Sequence, residues 1–169
     1  MNPSYFRIRL PKSDAMARFA SWFRLPEIEP PRVVSLTDAV DSACDEKGRW
    51  RGSALYVYEN GDWTVFEDLS GHCGSIPADS WLSFAESDDF VFAGYNDAIS
   101  YGELIVIENG TVIREFLFDA DNPEVNVNRG ELTSSIEPME SWIEAASFVD
   151  DDDLAYSEKG LLWLHRTPT

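Results

Sequence analysis

The chain has 169 residues with 44% hydrophobic and 13% aromatic content, enough to bury a sizeable core within one domain. Its formal net charge is −18, a field that repels nucleic acid and anionic membrane and speeds encounter with basic surfaces. The charge is unevenly placed: residues 1–51 carry 9 Lys/Arg against 7 Asp/Glu, whereas residues 52–169 carry 4 against 24. The acidic stretch is nevertheless rich in Trp, Phe, Tyr, Val, Ile and Leu. It therefore predicts a folded, β-rich body behind a near-neutral, helical N-terminal part, not a disordered acidic tail. Asp, Glu, Asn or Gly interrupts every apolar run, which excludes a membrane-spanning helix. Cys44 and Cys73 show no paired spacing and no cleavable leader pattern opens the chain, so a reduced, cytoplasmic protein is expected.

In chain order, Tyr5-Phe-Arg-Ile-Arg-Leu10 alternates as a strand does. Ser13 can cap a helix that places Ala15, Phe19, Trp22 and Phe23 on one stripe, and Pro26, Pro30 and Pro31 then predict a linker. Ser35 or Thr37 opens a second helix, with Leu36, Val40, Ala43 and Cys44 inward and an end before Gly48. Two echoing segments follow. Leu55-Tyr-Val-Tyr-Glu-Asn-Gly61 precedes Trp63-Thr-Val-Phe66, and Leu104-Ile-Val-Ile-Glu-Asn-Gly110 precedes Val112 and Ile113. Each reads as a β-hairpin turning at Asn-Gly, so Tyr58 should face Trp63 and Ile107 should face Val112. Both faces of each hairpin are apolar, the pattern of strands covered on two sides. Between them, Ser75 and Pro77 start a short helix presenting Trp81, Leu82 and Ala85, and Asp89-Phe-Val-Phe-Ala93 is a strand. Ser134 and Glu137 form a capping box for a last helix with Met139, Trp142, Ile143 and Ala146 on one face, and Leu161-Leu-Trp-Leu164 is a closing strand. The expected fold is α+β: a largely antiparallel sheet with two Asn-Gly hairpins, flanked by helices.

The chain offers several chemical motifs, each incomplete. Gly71-His-Cys-Gly-Ser75 places a cysteine beside a histidine, but neighbours in extended chain point to opposite faces, so His72 is badly placed as a base for Cys73. Asp119-Ala-Asp-Asn-Pro-Glu124 begins like a calcium loop, yet Glu124 stands where the sharp-turn glycine belongs. Asp150-Asp-Asp-Asp153 cannot aim four consecutive carboxylates at one ion. The pairs Glu67-Asp68 and Asp88-Asp89 are frequent by chance in so acidic a chain. No phosphate-binding glycine motif occurs. Arg7, Arg9, Lys12, Arg18 and Arg24 form the basic stretch and are read as partners for the acidic face. No catalytic residue, metal or cofactor is expected.

One polar pattern is compatible with either loop locking or recognition. Phe92-Ala-Gly-Tyr-Asn-Asp97 leads to Tyr101-Gly-Glu-Leu104, and Asn126-Val-Asn-Arg-Gly-Glu-Leu132 follows. Asn and Asp side chains can satisfy loop backbone groups. Alternatively, Tyr95, Asn96, Asp97, Asn126, Asn128 and Arg129 form a docking patch, with Asp89, Asp121, Asp151 and Asp152 supplying attraction for a basic partner.

Together with Trp63-Thr-Val-Phe-Glu-Asp-Leu-Ser-Gly71, these segments resemble those of small bacterial immunity proteins that accompany polymorphic or contact-delivered toxins, over about residues 50–150. A looser likeness to the SMI1/KNR4 superfamily lies in the α+β layout and in Trp142 followed by Ser147-Phe148. The resemblance implies a cytoplasmic, non-catalytic inhibitor that binds a basic toxin, such as a nuclease, and occludes its cleft. The other classes left open are an acidic protein-binding adaptor and a small hydrolase using a carboxylate pair or Cys73.

Overall fold

The computed structural model describes residues 4–130 and 159–166. In chain order these form β1 (Ser4–Ile8), α1 (Lys12–Phe23), β2 (Glu27–Val34), α2 (Leu36–Ala43), β3 (Ser53–Asn60), β4 (Trp63–Asp68), α3 (Ala78–Ala85), β5 (Phe90–Asn96), β6 (Tyr101–Glu108), β7 (Thr111–Asp119), β8 (Val127–Gly130) and β9 (Gly160–His165). Short 3-10 turns lie at Asp97–Ile99 and Pro123–Val125. The capping box at Ser134, the helix expected after it, and Asp151 and Asp152 lie outside the described residues.

Every strand pairing is antiparallel, in one nine-stranded sheet ordered β2-β9-β3-β4-β1-β5-β6-β7-β8. The expected α+β class is thus found. Adjacent residues of a strand face opposite ways, and here both faces are buried, which explains the continuous apolar runs. On one face Phe6, Leu55, Val57, Phe66, Phe90, Phe92, Ile105 and Ile107 meet Ala15 and Phe19 of α1 and Trp81 and Phe84 of α3. On the other, Tyr5, Tyr56, Val65, Val91, Leu104 and Val106 belong to a second cluster that includes Ala39 and Ala43 of α2. Among the described residues no helix is long and apolar enough to cross a membrane.

Several local expectations change. The N-terminal 51 residues are not only helical: β1 is a central strand, paired with β4 and β5. The proline-broken linker is the edge strand β2, paired with β9 through two register shifts; an edge strand tolerates missing N–H donors, and bulges absorb the irregularity. Ser35, not Thr37, caps α2 by accepting from the Asp38 N–H at 3.1 Å. Val40 points outward at 38% exposure while Ala39 faces the core. Pro11 precedes α1 in place of a Ser13 cap.

The two hairpins turn differently despite their shared Asn-Gly. At Asn109-Gly110 both residues have positive φ, 49° and 71°, and Ile107 faces Val112 as expected. At the first hairpin Asn60 stays in the strand opposite Trp63, so Tyr58 faces Val65 and not Trp63. The loop is Gly61-Asp62 with Gly61 at φ 57°, matching a type II′ turn, which needs glycine first. A Cβ at Gly110 would also lie 3.0 Å from the Glu86 carbonyl oxygen, whereas nothing lies within 4 Å of one at Gly61. Gly110→Val is therefore expected to cost about 2–3 kcal/mol and Gly61→Val less, as urea midpoints would measure; equal losses would mean that the Glu86 contact is immaterial.

Candidate functional site

The antiparallel register gives the sheet two unlike ends. Both hairpin turns lie at one end, where three cations of the basic stretch form local pairs. Arg9 meets Asp89 at 2.8 Å, Lys12 meets Glu59 at 3.2 Å, and Arg18 meets Asp88 at 2.8 Å. Arg18 also donates to the Ala85 carbonyl at 2.9 Å, so a cation sits at the negative C-terminus of α3. At the opposite end stand residues 69–77, the 3-10 turn Asp97–Ile99 and residues 119–126 on the β4–β8 side, and residues 24–26, 44–52 and 166, with Arg24, Arg49, Arg51 and Arg166, on the β2-β9-β3 side. The loops on the β4–β8 side and the strand ends beside them place Asp68, Asp119, Asp121 and Glu124 at this end, with no lysine or arginine in the same stretches. Asp121 and Glu124 are exposed and have no ion pair among the described residues. Ile99 and Val125 add apolar surface at 45% and 46% exposure. The result, on the β6–β8 side of this end, is an acidic rim with apolar points.

Two buried carboxylates shape this end. Asp68 ends β4 on the same face as Phe66. Its Oδ1 accepts from the Gly71 N–H at 2.8 Å and the Ser70 hydroxyl at 3.1 Å, and its Oδ2 from the Cys73 N–H at 2.7 Å. Glu103 shares its face of β6 with Ile105 and Ile107. It accepts from the Ser75 N–H at 3.0 and 3.2 Å to its two oxygens, and from the Tyr101 hydroxyl at 2.6 Å. Ser75 holds φ 62° there, a conformation that costs a non-glycine residue energy and needs support. Ser4, Gly94, Tyr101, Glu103 and Asp119 from the strands, with Gly71, Gly74 and Ser75 from the loop, line a half-open cavity of about 270 Å³.

Burial pushes the Glu103 carboxyl from 4.5 up to about 7, against the lowering effect of its Tyr101 and Ser75 bonds. The folded chain thus holds a proton that the unfolded chain has released between those two values. Stability from this group is full below about pH 4.5, falls as pH rises, and levels off above about 7. Glutamine, with its carbonyl oxygen at the Oε2 position, can accept from the Ser75 N–H and the Tyr101 hydroxyl without ionising. Glu103→Gln is expected to abolish about 2–3 kcal/mol of stability loss between pH 5 and 8; urea unfolding at both pH values with identical losses in parent and variant would contradict this.

The structure separates the residues read from sequence as one docking patch. Tyr95 and Asn96 end β5 at the acidic end, beside Asp97, and Asn96 Oδ1 accepts from the Ala98 N–H at 3.1 Å. Asn126 accepts from the Asp119 N–H at 2.7 Å, and the Asp121 N–H donates to Asp119 at 2.9 Å. Asn128 and Arg129 lie on the edge strand β8, where Asn128 accepts from Arg114 and Arg129 pairs with Glu115 at 3.3 Å. Asp89 is at the opposite, hairpin end. Much of the polar pattern therefore locks loops, and the acids near it, not the asparagines, are left outward.

The other chemical motifs are also placed. Cys73 is fully buried, and burial together with Asp68 and Glu103 pushes its thiol well up, the reverse of what activates a nucleophile. His72 is exposed, with Nδ1 2.8 Å from the Ser70 hydroxyl, while His165 packs against Phe19, Phe23 and Trp163. Glu67 bonds Tyr58 while Asp68 faces the loop, so that pair diverges. Asp88 and Asp89 are claimed by different arginines. Asp119 accepts from Asn122 and from the backbone N–H groups of Asp121 and Asn122, bonds that hold its carboxyl below the usual range. Among the described residues no group of three His, Cys, Asp or Glu could hold a metal ion. Glu103 is the site residue that sequence reading passed over, though a lone acid in phase with Ile105 and Ile107 was its signal. No protein-family model, curated protein or solved structure matches this chain.

Proposed function

We propose that this protein is a non-catalytic inhibitor of the immunity type, which docks the acidic end of its sheet onto a basic protein, a toxin with a positively charged cleft. The observation that carries this reading is the exposed, unpaired acidic surface at residues 119–126. At the hairpin end Arg9, Lys12 and Arg18 each meet an acid, while Asp121 and Glu124 stand exposed near Ile99 and Val125 with no ion pair among the described residues. A rigid negative surface on one end of a rigid sheet attracts a positive groove from a distance, and the apolar points then exclude water at contact. Carboxylates can occupy the positions that substrate phosphates would take in a nuclease cleft.

The test is co-expression with the product of the neighbouring gene. An immunity protein restores growth to cells producing that product and co-purifies with it in fixed stoichiometry. Absence of both protection and complex would overturn the assignment, and a complex without protection would favour the adaptor reading.

A further inference from the structure

The cavity beneath residues 71–75 has a lining that selects one kind of guest. At about 270 Å³ it is several times the roughly 30 Å³ that a water molecule occupies in the liquid. Its polar groups are carboxylates and hydroxyls, with no lysine, arginine or histidine among the lining residues. Glu103 is only partly used: one N–H straddles its two oxygens and one hydroxyl meets Oε2, whereas a carboxylate offers about four lone-pair sites. The Tyr101 hydroxyl donates a hydrogen bond to Glu103 and meets the Ser75 side chain, and its oxygen can accept a further one.

We infer that this cavity is a socket for a guanidinium group, presented as an arginine side chain by the basic partner. The identity of the bearer rests on the reading above; the chemistry of the guest rests on the cavity. Guanidinium brings five N–H donors in a plane and is more weakly hydrated than ammonium, so it enters a recess at lower desolvation cost. Ile99, exposed at the cavity's edge, can pack against the aliphatic stem.

The guest requires ionised Glu103, so binding expels a proton. Three other titratable groups near Glu103 keep their charge state near neutrality. The Tyr101 hydroxyl and Cys73 thiol are both pushed up and stay neutral, and Asp119 is held down and stays ionised. Asp68 is committed to the loop amides, while β1 and β5 contribute only Ser4 and Gly94 to the lining. With Glu103 near 7, affinity should rise about tenfold from pH 6 to pH 8.

The probe is Nα-acetyl-L-arginine methylamide, titrated into the full chain and followed by calorimetry and by ¹⁵N NMR at the Gly74 and Ser75 amides. The citrulline analogue is its neutral counterpart. The expected result is saturable shifts at those amides with arginine, at least tenfold weaker binding of citrulline, and the stated pH rise. Glu103→Gln should lose both the binding and its pH dependence. Gly74→Ala offers a second route: its methyl would lie 3.9 Å from Glu103 Oε2 and from the Tyr101 hydroxyl, an ordinary contact that leaves the fold intact while narrowing the socket. Binding that ignores both substitutions, equal binding of citrulline, or a pH rise that survives Glu103→Gln would overturn the socket. A neighbouring-gene product that binds the acidic rim while the probe leaves Ser75 unmoved would sink the socket alone; a probe that binds as described, with no basic partner found, would sink the rim alone.

Discussion

Replacing Phe6 with alanine is expected to cost about 3–5 kcal/mol, a large fraction of the roughly 5–15 kcal/mol that holds an ordinary domain folded. Phe6 is fully buried in the central strand β1. Its ring stacks on Phe66 at 4.6 Å and lies 5.0 Å from Trp81, with Phe19, Phe84 and Phe90 also in contact range. It therefore joins α1, α3 and the sheet at one point, and its neighbours are rings that cannot collapse into the void. Chemical denaturation would measure the loss. Phe6→Leu should cost clearly less than Phe6→Ala; a loss below about 1 kcal/mol for alanine would mean that the aromatic cluster does not hold the helices to the sheet.

Reversing the outward acids at the other end should leave stability almost unchanged and strike association instead. Asp121→Lys with Glu124→Lys is expected to lower the on-rate for a basic partner by about 10–100-fold at low salt, with a smaller change in off-rate. The difference should shrink as salt rises, because screening acts on the long-range approach. Asp89→Lys is the informative contrast: it removes an ion pair with Arg9 at the hairpin end and should perturb folding more than association. Surface plasmon resonance separates the rates. Equal on-rate losses from the two ends would show that net charge, not its placement, steers the encounter.

Local chemistry made the hairpins legible in the sequence, because few dipeptides accept positive φ. Overlap hid the first register: Asn60-Gly61 and Gly61-Asp62 are both good turn pairs, and tertiary pairing selected the second. Strand β2 was concealed by its own prolines, which suit an edge but read as breaks. The position of β1 at the sheet's centre is a property of long-range pairing, which no local pattern expresses. For the site, Tyr101 and Glu103 stood in a segment that drew attention, and Asp68 in one dismissed as a chance pair of acids. What brings them to one end is the Leu69–Pro77 connection, whose amides need the carboxylates. Conversely, Asp89 and Asp121 look equivalent as acids and lie at opposite ends, since a strand's direction decides where its flanking charges fall.

The most direct test of the docking surface is hydrogen–deuterium exchange of the chain alone and bound to the neighbouring gene's product. The account predicts protection on binding at residues 71–75, 97–101 and 119–126, with the turns at 61–62 and 109–110 unchanged. Protection confined to those turns or to α1 and α3, with the acidic loops exchanging as in the free protein, would contradict it.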